Sequence, residues 1–243
     1  MQITKLLYLE DFTILNAAAK VLEVREEEGR AVVILDETIF YPQGGGQPYD
    51  NGFISGQSGK FIVEEVRFVE GIVKHIGKFE SGNIAAGEEV ELIVDKERRE
   101  LNSRIHSGGH VLDMAIYDLN LPWIPGKGYH FPQGPYVEYA GSLDGMDKEK
   151  LKVDIENSSN KFIAENRQTK LVLMEKEKMH EVCRNVPENL PEGKPARVVM
   201  YGDFGVPCGG THVSQLSEIK SMTVRKIKQE GSGTVRVAYD VSR

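Results

Sequence analysis

Four side chains that commonly bind transition metals occur as two pairs with the same spacing. His106 and His110 lie in the segment RIHSGGHVLD, and Cys208 and His212 lie in GVPCGGTH. On a helix, residues four apart share one face and lie about 6 Å apart along the axis, so two imidazoles can approach one ion. Each pair alone is weak evidence, but together they provide three imidazoles and one thiolate, a set that suits tetrahedral Zn²⁺. We therefore predict a zinc site formed by both pairs.

The remaining histidines are weaker candidates. His75 lies in the strand-like segment IVKHIG and is expected to be structural, while His180 and Cys183 form a rival HxxC pair on a predicted short helix. His130 lies among the glycines and prolines of GKGYHFPQGPYVEY, a composition typical of a shaped loop. We predict that His130 borders a pocket and contacts a substrate.

Glycine is frequent beside these side chains. Gly108 and Gly109 lie between the two helical histidines, although glycine within a helix costs roughly 1 kcal/mol relative to alanine. We interpret both as space for a substrate or another backbone segment. The glycine-rich segment YPQGGGQPYDNG, residues 41–52, is expected to form a tight, exposed turn whose N–H groups, with Gln43 and Gln47, bind phosphate or carbonyl oxygen. It matches neither the Walker pattern nor the dinucleotide-binding fingerprint, and a plain turn is the alternative.

The bulk composition is that of a globular protein with one large domain or two ordinary ones: 243 residues, 40% hydrophobic and 28% charged. There is no apolar run of membrane-spanning length and no signal-peptide pattern, so we expect a cytoplasmic protein. Two cysteines do not suggest a disulfide scaffold. The net charge of −7 gives no general signal for nucleic acid, but the last 21 residues contain five basic and two acidic side chains.

The pattern of apolar residues changes near Asp95. Residues 1–93 contain short β-branched or aromatic segments separated by turn residues, which predict a small barrel or sandwich. Residues 94–243 contain a helix ending before Pro122, a second helix starting near Asp144 or Asp147, and a terminal hairpin. We predict an α+β fold with domains 1–93 and 94–243, in which helices pack on one face of a mostly antiparallel sheet.

Four motifs follow one another along the chain: FYPQGGGQPYDNG, DKERRELNSRIHSGGHVLDMAI, GVPCGGTHV and the basic terminal hairpin. In this combination the chain resembles the editing region of alanyl-tRNA synthetase and, more closely, the free-standing alanyl-tRNA editing proteins of the AlaX group. The editing domain of threonyl-tRNA synthetase shares the HxxxH and CxxxH pairs. The resemblance covers nearly the whole chain, from about Phe40 to Val241.

The resemblance implies a small N-terminal β-barrel with the glycine-rich motif, followed by a two-layer α/β editing domain. It implies Zn²⁺ at His106, His110, Cys208 and His212, which would also carry catalysis. It implies hydrolysis of the ester joining a wrong amino acid to the 3′ end of a tRNA, in trans, with no membrane and no obligate protein partner. The substrate-binding residues expected for this function are Gly44, Gly45, Gly46, Gln47, Gly109, His130, Gly209, Gly210, Thr211 and Arg236.

Two kinds of supporting contact are predicted. The backbone N–H groups of Gly209, Gly210 or residues 44–46 are candidate donors to an oxyanion. Contacts to RNA phosphates are expected from basic side chains before the first helix and on the terminal hairpin: Arg98, Arg99, Arg104, Arg225, Lys226, Lys228 and Arg236.

One departure from the resemblance concerns specificity. Synthetases usually have HTATH where this chain has HSGGH, so Gly109 replaces a threonine. We predict that serine is the amino acid removed, with glycine as the second choice. Two other functions fit the same residues: a metal-dependent esterase or amidase acting on a small metabolite, and an RNA-binding module with structural zinc. Closure of the metal by four protein ligands would favour the structural case.

Overall fold

The structure, a computed structural model, describes residues 2–188, 190 and 195–242. Residue contacts divide the chain into two compact units, Met1–Glu100 and Leu101–Arg243. The fold is mostly β, with antiparallel sheets and few helices. None of the helices described is both long enough and apolar enough to span a membrane.

The first unit contains a closed barrel of six antiparallel strands, so the barrel alternative of the sequence analysis is confirmed. The strands of this unit are β1 (Lys5–Leu6), β2 (Asn16–Glu27), β3 (Arg30–Leu35), β4 (Glu37–Thr38), β5 (Gly52–Ser55), β6 (Gly59–Val69), β7 (Ile72–Gly82) and β8 (Glu89–Val94). The barrel order is β2-β3-β7-β6-β5-β8, while β1 and β4 form a short parallel pair. Alternate residues point inward, and the barrel core includes Val33, Leu35, Phe61, Val63 and Leu92.

His75 is a structural residue of this barrel, as the sequence predicted. Its side chain is buried in β7, with Nε2 at 2.8 Å from the Thr38 hydroxyl and Nδ1 at 3.0 Å from the Val33 carbonyl oxygen. Burial lowers the pKa of His75 to about 4, so the ring is neutral at pH 7. Two hydrogen bonds satisfy this neutral ring within the barrel.

The glycine-rich segment forms the expected tight turn. Gly44 and Gln47 exchange backbone hydrogen bonds of 3.2 and 2.8 Å, and Gly45 and Gly46 between them have φ of 52° and 76°. Two consecutive positive φ values define a turn that favours glycine at both positions. The N–H of Gly44 is used inside the turn, so the expectation that it donates to an oxyanion is wrong. Gln47 is fully buried rather than exposed.

The second unit combines two antiparallel sheets with three helices. Its elements are α1 (Lys96–Asp118), β9 (Ile124–Tyr129), β10 (Tyr136–Ala140), α2 (Lys148–Glu165), β11 (Thr169–Met174), α3 (Lys176–Met179), β12 (Ala196–Tyr201), β13 (Phe204–Pro207), β14 (Met222–Glu230) and β15 (Thr234–Val241). The first turn of α1 is counted with the first unit. The sheet orders are β14-β15-β10-β9 and β11-β12-β13.

In this unit, the sequence correctly predicted the cap of α2 and the position of the terminal hairpin. Asp147 caps α2 by accepting hydrogen bonds of 3.1 Å from the N–H groups of Glu149 and Lys150. The terminal hairpin turns between β14 and β15, as predicted. Residues 126–129, the start of the segment expected as a shaped loop, instead belong to the edge strand β9, which also contains Pro125 at a position where the missing N–H of proline is tolerated.

Gly108 has a packing role on α1. A Cβ at this position would lie 2.8 Å from Cγ1 of Val241 and 3.1 Å from Cε2 of Tyr239. Real Cβ atoms do not sit this close to their neighbours, so the glycine lets β15 approach the helix. The predicted approach of another segment is therefore correct for Gly108, and that segment is the terminal hairpin.

Candidate metal centre

The two predicted pairs come together in the second unit. One ligand atom from each of His106, His110, Cys208 and His212 lies within 4.8 Å of the others, and this set is a group that could hold a metal ion. Nε2 of His106 lies 3.5 Å from Sγ of Cys208. That separation is close to the edge of about 3.6 Å expected for a tetrahedron with Zn–N and Zn–S bond lengths. The histidines are buried and Cys208 is partly exposed.

His110 is oriented by a carboxylate one turn further along α1. Its Nδ1 lies 3.5 Å from Oδ2 of Asp113, while Oδ1 of Asp113 accepts a hydrogen bond of 2.8 Å from the Tyr139 hydroxyl on β10. A carboxylate at Nδ1 leaves Nε2 as the nitrogen available to a metal. Asp113 and Tyr139 therefore form an outer layer behind this ligand.

His212 is oriented by two hydroxyl groups. Its Nδ1 lies 3.2 Å from the Tyr201 hydroxyl and 3.3 Å from the Ser107 hydroxyl. Ser107 in turn accepts a hydrogen bond of 3.1 Å from the N–H of Val213. These contacts hold the ring by Nδ1 and direct Nε2 to the other side.

Arg197 on β12 fixes the loop that carries Cys208. Its guanidinium donates a hydrogen bond of 2.8 Å to the carbonyl of Cys208 and another, shorter one to the carbonyl of Gly210. The N–H of Gly210 donates to Sγ of Cys208 at 3.4 Å. The prediction that Gly210 supplies an oxyanion donor is therefore wrong, because its N–H is directed at the sulfur. Gly209 is exposed, whereas Thr211 is buried and lies 2.8 Å from the Ser103 hydroxyl.

His130 occupies the space beside Gly109. A Cβ on Gly109 would lie 2.4 Å from Cε1 of His130, whose ring stacks on His106 with centroids 4.5 Å apart. The Tyr239 hydroxyl donates its proton to the Ile105 carbonyl oxygen at 2.7 Å. The same hydroxyl therefore accepts in the 2.8 Å contact with His130, and Nδ1 of His130 is the donor. The interpretation of Gly109 as open space for substrate is thus corrected, since an imidazole fills that space.

The pKa values of His106, His212 and Cys208 favour metal binding, whereas the pKa of His110 is raised to about 9, so a metal must displace the proton of that ring. Burial, followed by neighbouring imidazoles, lowers the pKa of His106 and of His212 well below its usual value. Burial raises the pKa of the Cys208 thiol, but His110, the Gly210 N–H and Arg197 outweigh it and the net pKa is lowered. Neutral imidazoles and a thiolate are the forms that bind metals.

Nε2 of His110 supplies a test of fit for a metal ion. This atom is buried and has no hydrogen-bond partner among the residues described. An unsatisfied buried nitrogen costs about 1–3 kcal/mol, so a group that binds it is expected. A cation held by three imidazoles and a thiolate satisfies it, and these residues therefore fit Zn²⁺.

We expect Gly109→Thr to displace His130 rather than simply narrow a substrate pocket. The new Cβ would force the imidazole off His106 and break its hydrogen bond to Tyr239, at a cost of about 1–3 kcal/mol in folding free energy. The coupling between the two residues is measured by denaturant unfolding of four proteins: the wild type, Gly109→Thr, His130→Ala and the Gly109→Thr/His130→Ala double variant. The threonine should cost clearly less once His130 is truncated. Equal costs in both backgrounds would show that His130 is not the obstacle.

Several predicted residues lie outside this centre. His180 and Cys183 belong to no metal-holding group within the described chain, and burial raises the pKa of the Cys183 thiol to about 11. Arg99 is buried and paired with Asp50 at 2.6 Å, so the prediction that it contacts RNA is wrong. On the terminal hairpin, Arg236 already pairs with Glu138 at 2.7 Å and Lys228 with Glu230 at 3.1 Å.

The residues that orient the ligands were not among the site residues predicted from the sequence. Asp113 follows His110 by three positions on α1, so helical spacing could have identified it. Tyr139, Tyr201 and Arg197 come from separate strands, and nothing in their local sequence marks them as neighbours of the ligands.

Comparisons with known proteins identify the family of this chain. Residues 6–98 match the family model for class II (A) tRNA synthetases, and residues 196–238 match that for the threonyl and alanyl tRNA synthetase second additional domain. The chain is 32% identical to the alanyl-tRNA editing protein AlaX-M of Pyrococcus horikoshii, over 96% of this chain and 94% of that protein.

Longer relatives are matched over part of their length. The chain is 32% identical to AlaX-L of the same organism over 96% of this chain and 56% of that protein. It is 30% identical to the alanine–tRNA ligase of Clostridioides difficile, over 87% of this chain and 24% of that enzyme. Because the chain is 32% identical to AlaX-M over nearly the whole length of both proteins, it belongs to the family of alanyl-tRNA editing proteins.

Proposed function

We propose that this protein is a zinc-dependent deacylase that hydrolyses the ester of mischarged tRNA in trans. Seryl-tRNA(Ala) is the first candidate substrate and glycyl-tRNA(Ala) the second. The observation that carries the proposal is the convergence of His106, His110, Cys208 and His212 in a chain that belongs to this family. The proposal includes a two-layer α/β editing unit, supported by hydrogen bonds from β14 to Glu156 and Asn160 of α2.

The residues of the centre have separable tasks. Zn²⁺ held there would supply a Lewis acid that polarises a carbonyl or lowers the pKa of a water molecule to about 7. Asp113 fixes His110, and Tyr201 with Ser107 fixes His212, so that both rings present Nε2. Burial, with a smaller effect of His110, lowers the pKa of His130 to about 3. Because this neutral ring uses Nδ1 as a donor, Nε2 is left to accept a hydrogen bond from substrate or water.

The substrate contacts belong to the same proposal. Gly209 is exposed next to Cys208, so its N–H is the candidate oxyanion donor that survives among the CGG residues. Among the other predicted substrate contacts, Gly45 and Gly46 are accessible in the glycine-rich turn, whereas Gln47 and Thr211 are fully buried. The contact of Arg236 with substrate stays a prediction. Four protein ligands by themselves favour a structural zinc, so the proposal of catalysis is supported by membership of the editing family and not by the number of ligands.

Deacylation of a panel of mischarged tRNAs tests this function. We expect wild-type protein to hydrolyse Ser-tRNA(Ala) faster than Gly-tRNA(Ala), and His110→Ala to lose more than roughly 100-fold in rate because it removes a ligand. His180→Ala is the matched control, since His180 lies outside the metal-holding group, and its rate should equal that of the wild type. No hydrolysis of Ser-, Gly- or Thr-charged tRNA would refute the proposal.

A further inference from the structure

The four-stranded sheet of the second unit has one face packed in the core and one face toward solvent. Alternation along β10 and β15 buries Val137, Tyr139 and Val237, among others, and leaves Tyr136 and Arg236 on the outer face. The register places Tyr129 of β9 opposite Tyr136. The outer face therefore carries aromatic rings on neighbouring strands.

These rings form one continuous stack. The centroids of Tyr129 and Tyr136 are 5.2 Å apart with an interplanar angle of 16°, and those of Tyr129 and Phe131 are 4.6 Å apart at 18°. The guanidinium of Arg236 lies over the ring of Tyr136 at 4.3 Å. The order is thus Arg236, Tyr136, Tyr129 and Phe131, with all three rings partly exposed. We call these four side chains the stacking ladder.

The far face of Phe131 is the open end of the ladder. Within the described chain, the structure places no second ring and no cation against Phe131. A partly exposed phenyl group that ends a stack leaves some apolar area in water. A planar ligand that stacks on it would cover this area and extend the row of rings.

Charge on the same face identifies the kind of planar ligand. The register aligns Lys228 with Arg236 and Lys226 with Ala238, so both lysines of β14 lie beside the ladder. Glu138 pairs with Arg236, and Glu230 with Lys228 and Arg236, whereas no ion pair to Lys226 is recorded in the described chain. A face with stacked rings and a surplus cation fits nucleobases joined by phosphates.

The ladder is continuous with the metal centre through a single residue. Tyr129 and Phe131 flank His130, and the His130 ring lies inside the unit, stacked on the metal-ligand candidate His106. One segment therefore presents two rings outward and one imidazole inward. An RNA end that reaches the metal centre has its preceding nucleotides near this segment.

We propose that the stacking ladder binds the single-stranded 3′ end of RNA, with one unpaired base stacked on Phe131 and the phosphates of the neighbouring nucleotides crossing the outer face of the sheet toward Lys226. The sheet is about 14 Å wide across its four strands, which is enough for two or three nucleotides. This inference rests on the proposed function for the identity of the RNA. Its contribution is to binding, since none of the four side chains is placed among the metal ligands.

Binding of uncharged RNA tests the ladder without any hydrolysis. The probes are an RNA hairpin with a single-stranded 3′ extension and the same hairpin with a blunt end, both labelled at the 5′ end for fluorescence anisotropy. Wild-type protein should bind the extended hairpin more tightly. Because stacking contributes about 1–3 kcal/mol per base, Phe131→Leu and Tyr129→Leu should each weaken binding of the extended form roughly tenfold and leave the blunt form unchanged.

Two further variants separate loss of the ladder from misfolding. Phe131→Trp enlarges the stacking surface and should tighten binding of the extended hairpin, a gain that misfolding does not produce. Tyr117→Leu is the matched control, because Tyr117 is a half-exposed ring of α1 with Arg184 over it at 4.3 Å, the same distance as in the ladder. This control should bind both probes like the wild type.

The outcomes distinguish this inference from the proposed function. Binding of the extended hairpin that depends on Phe131, without hydrolysis of mischarged tRNA, would support the ladder and refute the deacylase. Hydrolysis with an unchanged KM in Phe131→Leu and Tyr129→Leu, and equal affinity for both hairpins, would overturn the ladder and leave the deacylase standing. Support for both requires a raised KM in the leucine variants with kcat nearly unchanged.

Discussion

Replacing Cys208 and His212 together by alanine is expected to abolish tight zinc binding. The change removes the thiolate and one imidazole from a group of four candidate ligand atoms that lie within 4.8 Å of one another. Two remaining imidazoles on α1 do not complete a tetrahedral site. Metal analysis after dialysis should find about one zinc per chain in the wild type and almost none in the double variant.

The second cysteine provides a matched control for this experiment. His180→Ala/Cys183→Ala removes the rival HxxC pair, which lies outside the metal-holding group, so the zinc content of this variant should equal that of the wild type. Zinc retained in the first double variant and lost in the second would assign the metal to the rival pair.

The pH dependence of zinc binding should reflect His110. Burial lowers the pKa of this residue, but the adjacent Asp113 and Cys208 outweigh burial and raise it to about 9. Zinc must displace the proton of the imidazolium, so affinity should increase with pH up to about 9, by about tenfold per pH unit for one proton. His106 and His212, whose pKa values are lowered, add no proton to displace near neutral pH.

The ligand set was accessible from sequence because metal chemistry restricts both residue type and local spacing. Two histidines four apart, and a cysteine and histidine four apart, remain recognisable without any tertiary information. The outer layer was less accessible: Asp113 shares the helix of His110, whereas Tyr139, Tyr201 and Tyr239 reach the site only through the pairing of distant strands. Such contacts depend on sheet register, which local sequence does not specify.

Gly109 illustrates a second limit. A glycine between two ligands indicates that a side chain is excluded, but it does not identify the group that takes the space. The structure places the ring of His130 there, from the loop that directly follows β9. Both Gly109 and His130 were therefore predicted from sequence as site residues. Their relation, in which the missing side chain of Gly109 leaves space for the ring of His130, was not predicted.

Whether a charged side chain faces solvent or the interior was the hardest property to predict from sequence, as Arg98 and Arg99 show. Both precede the histidines on α1 and were predicted to contact RNA. Arg98 is half-buried, with its guanidinium donating to the Tyr49 carbonyl at 2.8 Å. Arg99 is 2% exposed, and it pairs with Asp50, which is fully buried. Adjacent residues on a helix point in different directions, so one arginine faces the surface and the next faces the barrel unit's interior.

Arg99→Met is expected to destabilise the protein by about 3–5 kcal/mol, because it leaves the Asp50 carboxylate buried without its cation. The guanidinium of Arg99 also donates to the carbonyl oxygens of Phe12 and Ile39 at 2.9 and 2.6 Å. Asp50 in turn accepts a hydrogen bond of 2.7 Å from the N–H of Tyr41, which closes the base of the glycine-rich turn. Denaturant unfolding measures the loss, and the turn should become more accessible to protease.

Two comparisons decide whether the buried pair is the cause. Arg98→Met removes the neighbouring charge from a half-buried position and should cost less than about 1 kcal/mol. Arg99→Met/Asp50→Leu removes both charges, and should be more stable than Arg99→Met alone because no buried carboxylate is left unpaired. If Arg98→Met and Arg99→Met were equally destabilising, or if the second change brought no recovery, Arg99 would act through packing rather than through its charge.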